Sequence, residues 1–192
     1  MTPDDTAGDL LLRLAESGAA LLVATLDALE AGELDAGPQP AEGISLAPKI
    51  TVQDARISWH TPALAIDRHI RGCTPAPGAW TTFRGGRLKI YPVTPAPDAP
   101  AAEDGEVVAI GEVIAPGEVS ATKRAVDVGT GSGEVRPGRV QPHGTKPTAA
   151  PEWSRAVGTW PGQKLAQGGD APRGARAPRA GSPHGRRDPA PP

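Results

Sequence analysis

Apolar positions in this chain are sparse and come in short, separate runs. Leu10, Leu14, Leu21, Leu22, Leu26 and Leu29 recur with helical spacing, which predicts a helix over 6–31. Asp5 and Thr6 are good residues to cap it, and Asp9, three residues after Thr6, completes a capping box. Gly18 is a place for a bend and Gly32 a place to stop. The stripe has too little neighbouring sequence to bury it. A second short helix is expected over 62–72, opened by Pro62, with Leu64, Ile66 and Ile70 facing inward and Gly72 closing it.

Beyond this helix the period shortens to that of strands. Runs at 79–83 and 87–93 flank Arg84-Gly85-Gly86, a hairpin turn signal, and further runs lie at 106–114, 124–128 and 134–141. Short strands with few helices predict a mainly β fold, a small antiparallel barrel. Residues 33–45, with Gly37, Pro38, Pro40 and Gly43, read as linker and 94–105 as a Pro/Ala/acid loop. Residues 166–192, rich in Gly, Pro, Arg and Ala, read as a disordered tail.

Composition narrows the core. The 192 residues include 24 Gly and 23 Pro, with four Trp, one Tyr and one Phe, so a small core among loops is expected. In such a chain Trp59 and Trp80 read as core. Cys73 is the single cysteine, which rules out an internal disulfide and fits a reducing compartment. No apolar run approaches the roughly 20 residues of a membrane span, and acidic residues follow Met1. A cytoplasmic protein is expected.

The net charge of −2 conceals segregation. Residues 1–34 carry seven acids against one base, and 98–119 six acids and no base. Residues 49–92 carry seven bases against two acids, and 120–164 seven against three. The basic blocks are suited to a polyanion, although each also reads as a solvated surface.

Asp127-Val128-Gly129-Thr130-Gly131-Ser132-Gly133 matches the glycine loop of many S-adenosylmethionine-dependent methyltransferases. That loop needs a helix directly after it, and Pro137 and Gly138 forbid one. The loop reads instead as a turn joining Val126–Val128 to Val135–Val140, in which the glycines need no ligand. His60, His69, His143 and His184 show no metal-ligand spacing, with each other or with Cys73, so no metal is expected. Asp98, Glu103, Asp104 and Glu106 read as a solvated acidic loop.

Several segments, in order, resemble methionyl-tRNA formyltransferase. They include Asp5-Thr6-Ala7-Gly8-Asp9-Leu10, then Ala47-Pro48-Lys49-Ile50 leading to Trp59. The most specific is Ile66-Asp67-Arg68-His69-Ile70-Arg71 followed by Pro75-Ala76-Pro77-Gly78-Ala79-Trp80-Thr81. Val140-Gln141-Pro142, Gly144, Lys146 and Trp153 continue the match. Gly144-Thr145-Lys146-Pro147 stands where the family usually has a basic Gly-Lys-Lys run.

The resemblance implies an OB-like barrel over 46–164, preceded by the closing helix of a catalytic domain (1–34) and a linker (35–45), and followed by the tail (165–192). It implies initiator methionyl-tRNA as partner, with Lys49, Arg68, Arg71, Lys89, Arg139 and Lys146 as candidate phosphate contacts. The family's formyl donor is 10-formyltetrahydrofolate. No residue here corresponds to the family's catalytic Asn, His and Asp, so neither a cofactor site nor formyl transfer is expected in this chain. A non-functional remnant is the competing reading, and a methyltransferase a remoter one.

Overall fold

The computed structural model describes residues 1–35, 37–95, 114–160 and 162–166. The runs expected at 94–105, 106–114 and 166–192 lie largely outside these residues.

Helix α1, Ala7–Glu30, forms where the leucine stripe places it, and it runs through Gly18. Its capping box is complete. The Thr6 hydroxyl accepts from the Asp9 N–H, and the Asp9 carboxylate accepts from the Thr6 N–H at 2.9 Å. Gly32 follows with a φ of 72°, the left-handed conformation that ends helices. No side chain of α1 is buried, and Leu11, Leu14, Leu21, Leu22, Leu26 and Leu29 are all exposed.

Helix α2, Ala63–Gly72, buries Ala63, Ile66, Asp67 and Ile70. Leu64, expected to face inward, is 52% exposed. At about 100° per residue, 63, 66, 67 and 70 share one face of the helix and 64 falls outside it. A third helix, α3 (Ala150–Val157), escaped the strand-based reading, although Pro151 in its first turn and Glu152 are helix-start signals. It seats Trp153 edge-on against Phe83, with ring centroids 4.9 Å apart.

The strands form two four-stranded antiparallel sheets. The first contains β1 (Trp80–Phe83), β2 (Gly86–Ile90), β7 (Arg139–Pro142) and β8 (Thr148–Ala149), in the order β1-β2-β7-β8. The second contains β3 (Val93–Pro95), β4 (Val119–Ala121), β5 (Val126–Gly129) and β6 (Glu134–Pro137), in the order β3-β6-β5-β4. The run expected as one strand over 134–141 is broken at Gly138, and its halves enter different sheets. A hydrogen bond from the Tyr91 N–H to the Arg139 carbonyl, 3.2 Å, carries the ladder round this corner.

The other side is closed by residues 163–166. The Ala166 N–H donates to Thr82 of β1, the Leu165 N–H to Gly117, and the Val119 N–H of β4 to Gln163, at 2.7, 2.7 and 2.8 Å. The expected tail therefore begins too early: Leu165, only 2% exposed, belongs to the core. Trp59 is fully buried in that core, and its indole N–H donates to the Thr81 hydroxyl, 3.0 Å. The Thr81 hydroxyl in turn donates to the Ala166 carbonyl at 3.1 Å.

Residues 130–133 form the tight turn between β5 and β6, with no helix after them. A side chain at Gly131 would strike the His60 carbonyl, and one at Gly129 the carbonyls of Ile114 and Ala115. The loop is the turn that the sequence reading expected, and close backbone approach accounts for both glycines.

Candidate nucleic-acid interface

Alternation along the first sheet sorts its side chains. Leu88, Ile90 and Val140 are buried, so their strand neighbours Arg87, Lys89, Arg139 and Gln141 lie on the outer face. Antiparallel register pairs Trp80 with Lys89 and Lys89 with Gln141, setting these three in a row across β1, β2 and β7. None of these three strands contains an acidic residue.

Cations and rings interleave on this face. The Arg87 guanidinium lies 4.2 Å from the Trp80 ring centroid, and that of Arg56 lies 5.2 Å from it. Arg139 lies 4.9 Å from the Tyr91 ring centroid, and the Tyr91 hydroxyl donates to Gln141 Oε1 at 3.0 Å. Trp59 is core, as expected, but Trp80 is only partly buried and donates its indole N–H to the Val52 carbonyl at 2.6 Å.

An open pocket of about 320 Å³ lies at the edge of this face, lined by Arg87, Lys89, Gln141, Pro142, His143 and Gly144. Its floor is held by the His143 N–H, which donates to the Arg87 carbonyl at 3.0 Å. Arg87 Nε and Nη2 are buried and meet no hydrogen-bond partner among the described residues. By contrast, Arg136 spends its guanidinium on Asp127 in two hydrogen bonds, 2.7 and 3.0 Å. A guanidinium that lines an open pocket without an acidic partner among the described residues is suited to an incoming anion, since its charge is not already neutralised.

The structure gathers Lys89 and Arg139 on this face. Lys146 is exposed in the adjoining β7–β8 loop, which Gln141 steadies by donating to the Thr145 carbonyl at 2.7 Å. Lys49 and Arg68 are exposed and do not line the pocket. Arg71 is turned inward, with its Nε on Asp67 at 3.0 Å and its Nη1 on the Asp5 carbonyl, also at 3.0 Å. Arg56, Arg87, Tyr91 and His143 were missed from the sequence. The spacing of Arg87 two residues before Lys89, on one face of a strand, was the available signal for one of them.

Burial pushes the Cys73 thiol above its usual range, which keeps it protonated and unreactive. No group of three or more His, Cys, Asp or Glu among the described residues could hold a metal ion. Among them, too, no helix is long and apolar enough to cross a membrane.

Residues 49–161, which hold most of the barrel and the basic face, match the formyl transferase C-terminal domain family. The chain belongs to the formyl transferase family. Its formyl transferase C-terminal domain is similar to those of methionyl-tRNA formyltransferases. The chain is 52% identical to the one from Streptomyces coelicolor over 163 residues, which is 85% of this chain and 49% of the relative. It is 52% identical to the one from Nocardioides sp. over 158 residues, 81% of this chain and 46% of the relative. The chain thus spans about half the length of the curated relatives it matches. A crystal structure of a HypX variant from Aquifex aeolicus superposes on 82% of this chain and 26% of its own, with a TM-score of 0.53 and 22% identity. That likeness concerns the fold alone.

Proposed function

We propose that this chain serves a methionyl-tRNA formyltransferase in translation initiation, in the cytoplasm, by holding the initiator tRNA on the outer face of its first sheet. The observation that carries this reading is the acid-free row of Trp80, Lys89 and Gln141, with Arg87 stacked on Trp80 and lining the open pocket without an acidic partner among the described residues. Phosphates taken by Arg87, Lys89, Arg139 and Lys146 would supply affinity without reading sequence, the usual role of backbone contacts. Lys49 and Arg68, exposed elsewhere, would add to it.

The formyl donor that the resemblance implies, 10-formyltetrahydrofolate, is not expected to be held by this chain. The chain contains no asparagine, so the catalytic Asn, His and Asp set that the resemblance implies cannot be assembled from it. The domain is accordingly proposed to bind tRNA and not to transfer the formyl group by itself.

The test is fluorescence anisotropy of labelled initiator tRNA titrated with the chain at a series of salt concentrations. If about six phosphates are neutralised, the log–log slope should be near −4 to −5. Binding no tighter than that of an acidic control protein at low salt would remove the tRNA reading and favour a remnant without function. Incubation with methionyl-tRNA and 10-formyltetrahydrofolate should yield no formylated product.

A further inference from the structure

Arg68 and Arg71 sit three residues apart on one short helix, yet their surroundings differ. Arg68 is exposed. Arg71 is half-buried, its side chain 19% exposed, and the buried Asp67 orients it through the 3.0 Å contact to Nε. Its remaining reach goes across the molecule, where Nη1 donates to the Asp5 carbonyl just ahead of α1. A second bond lies beside it, from the Gly8 N–H in the first turn of α1 to the Thr74 carbonyl, at 3.0 Å. The approach is close enough to require glycine, since a Cβ at Gly8 would lie 2.6 Å from Cδ of the rigid Pro75 ring.

We propose that Arg71 is a positioning residue that locks the first turn of α1 to the barrel, and not a phosphate contact. The latch has three parts: the planar Arg71 fork spanning Asp67 and Asp5, the Gly8–Thr74 backbone bond, and the Gly8–Pro75 contact. No residue of α1 is buried, and its contacts with the barrel lie in this turn, which sets the direction in which the 24-residue helix leaves the barrel. The inference stands on contacts within the chain and survives failure of the tRNA reading.

Amide hydrogen exchange of the full chain, followed by NMR, tests it. In Arg71→Ala the Gly8 amide should exchange at least tenfold faster, while core amides such as Val128 keep their rates. Arg71→Lys should behave like Arg71→Ala, because an ammonium lacks the fork that reaches both acceptors. Arg68→Ala should leave Gly8 unchanged. The salt slope of tRNA binding should be the same for Arg71→Ala as for the parent chain. Should Arg71→Ala unfold the barrel, Gly8→Ala remains. Alanine is the better helix former, so without the latch it would protect the Asp9 and Leu10 amides, whereas the clash with Pro75 should expose them. Unchanged Gly8 exchange in Arg71→Ala, or a slope flattened by about one unit and restored in Arg71→Lys, would overturn the proposal.

Discussion

Arg87 and Arg136 both stand on strands of this barrel and share the same chemistry, but not the same availability. Arg136 is satisfied by Asp127, which also holds its guanidinium above its usual pKa range. Arg87 leans on Trp80 and keeps two donors unpaired among the described residues. A contact that neutralises one phosphate contributes about one unit to the salt slope. Arg87→Ala should therefore flatten the slope by about one unit, measured by anisotropy across the salt series, and Arg136→Ala should leave it unchanged. Equal effects of the two substitutions would mean that only overall charge matters. At this scale the sequence reveals which residues are cations and which strand face they share. It does not reveal that Asp127 pairs with Arg136 across nine residues, because that pairing follows from the β5–β6 register.

At the scale of an element, α1 is the most legible part of the chain. Its cap follows from three residues, and the cap is titratable. The Thr6 hydroxyl, and then the Thr6 N–H, hold the Asp9 carboxyl below its ordinary value of 3.8. A carboxylate whose folded pKa is depressed contributes stability above its unfolded pKa and loses it as pH falls through the folded one. The Thr6 amide should thus report a single titration in NMR spectra with a midpoint below 3.8, and Asp9→Asn should abolish it. A midpoint at or above that value would show the box to be open in solution. Helix α2 was legible in extent but not in phase. Pro62 and Gly72 mark its ends, whereas which of its apolar residues turn inward depends on the sheet corner it covers. Ala63, small enough for close contact, took the place expected of Leu64.

At the scale of the whole molecule, the barrel is completed by residues far from its other strands in sequence. Leu165 sits in the closing segment, and replacing a buried leucine by alanine costs about 2–5 kcal/mol. Leu165→Ala should lower stability by that amount in denaturant titration. A chain ending at Lys164 should be less stable than one ending at Ala166, because it also loses the bonds to Gly117 and Thr82. Equal stability of the two shortened chains would show that the segment does not close the barrel. The sequence by itself determined the helix cap, the runs at 79–83 and 124–128, the turn at Gly129–Gly133 and the family, since each rests on local spacing or on residues matched in order. Tertiary structure alone decided that Leu165 is core, that Arg71 faces inward while Arg68 stays in water, and that Arg87, Trp80 and Lys89 form one surface. Those outcomes depend on partners brought together by strand pairing and close packing. A solitary leucine before a polar stretch, or two arginines on one short helix, carry no local pattern from which such partners could be read.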